Sequence, residues 1–278
     1  MADLLRTVRK LDQDFLRAAQ ICLVETSDRL AAVQHETLAV FDLPIRRVRR
    51  LDALPRRPIL IVANELFDAV AIRQFVYRAG RWHERLVGSA GETFTFVEGP
   101  PANPQPRNLP GPAPSEGTIL ELSPDRSALA ADIAARLLAD GGAALLVDYG
   151  HAHRGYGDTL QAIAAHRFAD PLAAPGERDI TSHVDFEALA AVFSHAGAHV
   201  APIAEQGAFL ASLGLRERAF ALAERETAET AGTALAAARR LAGDGPGEMG
   251  RLFKVLAAAS RPLSLPPFPP SVGTVTVD

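Results

Sequence analysis

A chain of 278 residues with 48% hydrophobic content has ample material for a globular core and excludes a disordered tail or linker. Its 29 basic and 33 acidic residues are intermixed and leave a net charge of −4, which argues against a nucleic-acid or anionic-membrane partner. The single cysteine, Cys22, forms no disulfide within the chain. With no apolar stretch near the ~20 residues of a membrane span and no basic-then-apolar leader, the expected location is cytoplasmic.

Leu4, Leu5, Val8, Leu11 and Phe15 recur at helical spacing and predict an amphipathic helix over 2–19. A continuous apolar run, ICLVET (21–26), reads as a buried strand ending at Glu25, and Ser27 or Asp28 caps a helix through Leu38. A weaker strand at 45–52 precedes the strong one, ILIVA (59–63), which has the branched composition of a strand buried on both faces. From Ile72 to Val97 the pattern alternates around turns at Gly80 and Gly91, the signature of a small antiparallel meander. Residues 99–117 carry seven prolines and read as an exposed connection with neither ladder nor helix.

The strand TILELS (118–123) leads to a helix capped by Ser123 or Asp125, then AALLVD (143–148) gives another buried strand. Residues 149–184 show no clear period and read as a long loop on the substrate side. Beyond it come a helix ended by Gly197, a strand at 199–205, helices over 208–225 and 228–241, a strand at 252–259 and a proline-rich tail over 260–278. Alternation of this kind predicts a doubly wound α/β sheet with the 72–117 meander inserted and helices added.

Polar residues close three of the buried runs: Glu25, then Asn64 with Glu65, then Asp148 with Tyr149 and Gly150. If 21–26, 59–63 and 143–148 are adjacent parallel strands, all of these lie at one carboxyl edge, where open α/β sheets bind ligands. Glu25 has the context of an acid that accepts both hydroxyls of a ribose. Two readings stand for Asn64 and Glu65: a ligand-binding edge, or an N-cap and first turn of a short helix over 65–68. The only G-x-G-x-x-G, at Gly245, follows a helix and precedes a strand, the wrong order for a ligand loop. No G-x-S-x-G elbow marks a hydrolase, and the histidines show no metal-ligand spacing.

The stretches VANELFDAVAIRQF, RWHERLV, GGAALLVDYGH, the run from GDTLQAIAAHRF to ITSHVDF, and EQGAFLASLGLRERA together resemble the MidA family of class I S-adenosylmethionine-dependent methyltransferases. The resemblance covers residues 1–259 as one methyltransferase domain. It implies a Rossmann-like sheet, S-adenosyl-L-methionine as cofactor with Glu25 on its ribose, and methylation of a protein arginine. That acceptor would be a respiratory complex I subunit, and the location the mitochondrial matrix in a eukaryote. An arginine acceptor calls for carboxylates that grip the guanidinium fork and turn one nitrogen toward the methyl group. Glu65 takes that role, Asp68 one helical turn on is a candidate second grip with a plain cap or surface ion pair as its alternative, and Asn64 positions substrate or cofactor. Asp148, Tyr149, Gly150 and His183 then shape the substrate pocket, although Tyr149 and His183 also suit plain loop-holding roles. Members of the family carry an earlier strand and glycine loop that this chain lacks, which predicts weak cofactor binding. A non-catalytic assembly or binding protein is the alternative.

Overall fold

The structure is a computed structural model that describes residues 1–91, 93–104, 113–164, 167–224, 228–263 and 265–268. The chain divides into two compact units, Met1–Arg57 and Pro58–Asp278.

In the first unit the expected helix over 2–19 is two helices, α1 (Ala2–Leu11) and α2 (Gln13–Ala18). Asp12 breaks it: its backbone is extended at φ −154° and its carboxylate accepts the Phe15 N–H, so it caps α2 instead of continuing α1. Strand β1 (Ile21–Val24) runs into α3 (Asp28–Leu38), whose cap Ser27 accepts the Leu30 N–H. The return strand β2 (Ile45–Val48) pairs parallel with β1, Ile21 opposite Ile45, and completes a βαβ unit. Leu5, Leu16, Leu38 and Phe41 form its core.

The second unit opens with β3 (Ile59–Asn64), which pairs parallel with β8 (Gly142–His151). Between them lie β4 (Arg73–Arg78), β5 (Arg81–Ala90), β6 (Thr93–Ala102), β7 (Ile119–Leu122) and α4 (Pro124–Asp140). The predicted meander is present, in the order β6-β5-β4-β7. Two details differ from expectation. Pro100 and Pro101 lie inside β6, which as an edge strand needs no donor on its outer side. Residues 119–122 join the meander antiparallel to β4 and not the main sheet. Most of the remaining proline-rich stretch, residues 105–112, lies outside the described residues.

After β8, the expected long loop contains a three-stranded sheet, β9 (Gln161–Ala164), β10 (Arg167–Ala169) and β11 (Asp179–Thr181). The two-residue β12 (Val184–Asp185) then pairs parallel with the end of β8. Helix α5 (Phe186–Ala196) is capped by Asp185 and ended by Gly197 at φ 97°. The short strands β13 (His199–Val200) and β14 (Ala204–Glu205) flank an irregular break, and α6 (Gln206–Ser212), α7 (Leu215–Ala223) and α8 (Ala228–Ala242) follow. The last strand, β15 (Phe253–Ala259), lies antiparallel to β8 and is buried along its whole length.

The main sheet of this unit therefore carries β3 and β12 on one side of β8 and β15 on the other, with β13 and β14 beyond β15. Helices α4 and α5 pack on one face, supplying Ala130, Ile133, Leu137, Leu189 and Phe193 to the core. Phe209 of α6, with Phe268, packs on Val255 and Ala257. The expected neighbours 59–63 and 143–148 do pair, but the hydrogen-bonded partner of 21–26 is β2. The parallel return through α3 gives β1 its ladder within the first unit.

Candidate functional site at the carboxyl end of the sheet

Glu25 follows β1 in the first unit, half-buried, its oxygens oriented by the Ser27 N–H at 2.8 Å and the Gln34 Nε2 at 2.9 Å. A carboxylate oxygen accepts more than one hydrogen bond, so this fixed, partly accessible pair of oxygens suits a vicinal diol.

In the second unit β3 ends in Asn64, and the next residue, Glu65, adopts the left-handed region at φ 50°. For a residue with a Cβ this conformation is strained and concentrates at functional sites. The Glu65 N–H still donates to Val147 O at 2.9 Å, extending the β3–β8 ladder by one residue. Its exposed carboxylate accepts the Asn64 amide at 3.0 Å. No helix forms over 65–68, so the expectation of Asn64 as a helix cap is corrected.

Asp148 is the reason. Its carboxylate, 1% exposed, accepts the N–H groups of Phe67 at 2.9 Å and Asp68 at 3.2 Å through one oxygen, and that of Tyr149 at 2.9 Å through the other. The Phe67 N–H, which an Asn64 cap would have claimed, belongs to a carboxylate 81 residues away. Burial, then the nearby Asp68 charge, pushes the Asp148 carboxyl up to about 7, against the opposing pull of those N–H bonds.

Asp68 does not share the exposed side of Glu65. It is buried, and its carboxylate accepts the Tyr149 hydroxyl at 2.6 Å. Burial, then this bond, raises the Tyr149 phenol above its ordinary range, so it stays a donor. The Tyr149 ring stands edge-on to His183, with centroids 5.8 Å apart, and to Phe253 at 5.4 Å. His183 donates its backbone N–H to Thr159 Oγ1 at 2.9 Å. Burial lowers the pKa of both His183 and His151 and so favours their neutral imidazoles, and a charge on His151 would further disfavour one on His183. Gly150 has no room for a side chain: a Cβ there would stand 2.0 Å from Val184 O, where β12 crosses the end of β8.

The structure thus gathers Asn64, Glu65, Asp68, Asp148, Tyr149, Gly150 and His183 around the carboxyl ends of β3 and β8. Sequence reasoning missed two features of this region. Glu121 accepts from Gln74 Nε2 at 2.7 Å and the Thr159 N–H at 2.9 Å, tying the meander to Thr159, whose hydroxyl accepts the His183 N–H. Arg126, only 5% exposed, donates to backbone carbonyls on both sides of the site. A cation in the first turn of a helix opposes the macrodipole, and that anomaly in SPDRS was the available signal.

Among the described residues, no three His, Cys, Asp or Glu side chains are grouped to hold a metal, and no helix is long and apolar enough to cross a membrane.

Residues 1–204 match the model of a family described as S-adenosyl-L-methionine-dependent methyltransferases. Among curated proteins, the chain is 30% identical over 241 residues to the mitochondrial protein arginine methyltransferase NDUFAF7 of Mus musculus, a match covering 78% of this chain and 54% of that protein. To the Drosophila melanogaster homolog it is 32% identical over 227 residues, covering 75% and 49%. The chain spans about half the length of these curated relatives. Two Burkholderia thailandensis crystal structures superpose on 93% of the chain. One is an uncharacterized protein with TM-score 0.77 and 30% identity, of which 70% is covered. The other, bound to S-adenosyl-homocysteine, has TM-score 0.74 and 29% identity, of which 67% is covered. The fold is the Rossmann-like methyltransferase sheet with the meander inserted, and the chain belongs to this family of S-adenosylmethionine-dependent methyltransferases.

Proposed function

We propose that the protein methylates a protein arginine from S-adenosyl-L-methionine, with Glu65 gripping the acceptor guanidinium. The observation that carries the reading is Glu65 itself: an exposed carboxylate at the end of β3, on strained backbone, held by Asn64 and by a loop pinned to Asp148. The names of the curated relatives and the product bound in a structural neighbour support it.

The cofactor supplies an electrophilic methyl group on a sulfonium. In the first unit, Glu25 would hold its ribose through the two oxygens that Ser27 and Gln34 orient. A guanidinium is a poor nucleophile because its lone pairs are delocalised and it remains protonated. A carboxylate that accepts two of its N–H groups fixes the plane of the fork, localises charge on the gripped nitrogens and directs the remaining one at the methyl carbon. Glu65 does this from the solvent side of the loop. Asp68 keeps Tyr149 in place below it, and Tyr149 with His183 forms an uncharged wall. We infer a respiratory complex I subunit as the acceptor, on the family resemblance alone.

The test is methyl transfer from labelled S-adenosylmethionine into extract proteins, with methylated residues identified by mass spectrometry. Methylarginine is expected. Label found only on other residues would overturn the arginine assignment. Glu65→Gln keeps the shape but not the charge, and should slow transfer by about 100- to 1000-fold, equivalent to about 2.7–4 kcal/mol of transition-state stabilisation. Calorimetric binding of S-adenosylhomocysteine should stay unchanged in this variant and fall in Glu25→Ala. Unchanged transfer by a folded Glu65→Gln protein would return Glu65 to a structural role.

A further inference from the structure

Arg126 is an arginine with no carboxylate among its hydrogen-bond partners and an unusual set of backbone ones. It sits in the first turn of α4, after the cap Ser123, and its guanidinium is buried. Nε donates to Phe67 O at 2.7 Å, and Nη2 to Asp68 O at 2.9 Å. Nη1 donates to His183 O at 2.6 Å, and Nη2 also to Ser182 O at 3.1 Å and Ser182 Oγ at 2.7 Å. One side chain thus fastens the segment after β3, which carries Glu65, to the segment before α5, which carries His183.

The far side of the same dipeptide is equally held. The N–H groups of Phe67 and Asp68 point at the Asp148 carboxylate, while their carbonyls point at Arg126. The 67–68 peptide unit is held at both ends, its N–H on the Asp148 carboxyl and its carbonyl on Arg126, and the peptide units on either side are held at one end each. Ser182 N–H donates to Asp68 O at 3.1 Å and adds a direct bond between the two segments. Such an arrangement does more than stabilise a core. A buried guanidinium with no carboxylate bonded to it is costly, and a hydrophobic side chain would fill the same space without that cost. What only a planar fork with several donors supplies is fixed geometry between two loops.

We propose that Arg126 is a positioning residue, whose guanidinium sets the backbone after Glu65 against the His183 segment and thereby fixes where the Glu65 carboxylate meets its acceptor. This rests on the function proposed above for Glu65, but the loop-fixing part stands without it. Leu66 is the one residue between Glu65 and the clamped pair, so a shift at Phe67 reaches Glu65 through a single link.

The test uses the full chain and two variants. Arg126→Lys keeps charge and much of the volume but loses the fork, and Ser182→Ala removes one of the acceptors at the far end. Amide hydrogen exchange reads the loops without any need for activity. In Arg126→Lys, exchange over 65–68 and over 182–183 should rise together by about tenfold or more, the scale of a lost hydrogen bond to a charged group. Amides of β8 and β15 should stay protected. Ser182→Ala should give a smaller rise confined to the same two segments. Exchange that is unchanged, or that rises equally through β8 and β15, would overturn the proposal by showing no role or a merely global one.

Transfer kinetics add the readout that a structural role would not move. Arg126→Lys should lower kcat by about 100-fold, by analogy with misplacement of a reacting group, while S-adenosylhomocysteine affinity stays within about threefold. Equal kcat in a variant with loosened loops would overturn the link to Glu65. If the unaltered chain transfers no methyl to arginine, the function proposed above fails, and the exchange experiment still decides whether Arg126 couples the loops.

Discussion

Asp148 shows how a single side chain can displace a local reading. From the sequence, Asn64 ahead of ELFD satisfies the rule for a helix cap, and no residue within reach contradicts it. The Phe67 and Asp68 N–H groups instead find an acceptor across the sheet, and a turn replaces the helix. Glu25, by contrast, stands directly after a strand as the local pattern expects, although β1 is only partly buried and Val24 is exposed. The environment of Asp148 also makes a pH prediction. Its carboxyl pKa is raised from an ordinary 3.8 to about 7, so the folded chain holds this proton over a range in which the unfolded chain has lost it. Below the unfolded value both states are protonated and the group contributes nothing. As pH rises from about 4 toward 7 stability falls, and above 7 the whole penalty is present, on the order of 4 kcal/mol from 1.36 kcal/mol per unit. Denaturant unfolding at pH 5 and pH 8 should therefore show a steeper loss of stability in the parent than in Asp148→Asn, which cannot titrate. Parallel losses in the two proteins would mean that the N–H donors and Arg126 hold this carboxyl ionised throughout.

At the scale of elements, helices were more legible than strands. Ser123 before PDRS, Asp185 before the α5 run and Gly197 after it are local signals, and each does what its residue type favours. The fragments β9, β10, β11 and β12 have no period to read because they are two to four residues long, and their stability comes from partners distant in sequence. β7 was legible as a strand, but pairing with β4 could not be seen in either segment alone. β12 is short enough for one substitution to remove it. Gly150→Ala would place a Cβ 2.0 Å from Val184 O, and neither is a flexible side-chain tip. The backbones must separate, breaking the Val184 to Gly150 pairing. A cost of about 1–3 kcal/mol is expected from overpacking, read as a lower melting temperature. Because β12 leads directly from the Ser182 and His183 segment, exchange at 182–185 should rise most. A variant as stable as the parent would show that β12 gives way without consequence.

For the whole molecule, the two compact units each carry a core of their own, and this sets how the chain should unfold. The first unit has 57 residues, the βαβ ladder and a core of Leu5, Leu16, Leu38 and Phe41. A core of that size supplies no more than about 3–5 kcal/mol. The second unit holds β8 and β15, with Val255, Leu256 and Ala258 essentially inaccessible, and a larger buried surface. The sole tryptophan, Trp82, belongs to the meander of the second unit, so its emission reports that unit alone. Far-UV dichroism reports both. Leu5, 1% exposed, is the most buried member of the first core, and Leu5→Ala should cost about 2–5 kcal/mol through lost transfer energy and the cavity left behind. That is comparable to everything the first unit has. The variant should therefore lose the α1, α2 and α3 dichroism at low denaturant or none, while the Trp82 transition keeps the parental midpoint. The reciprocal change, Leu256→Ala in β15, should move the Trp82 transition by a similar energy. If Leu5→Ala instead carries the Trp82 midpoint down with it, the two units unfold as one cooperative body. The site residues of the second unit would then depend on the first for their stability, and Glu25 and Glu65 would be lost together under any condition that melts either core.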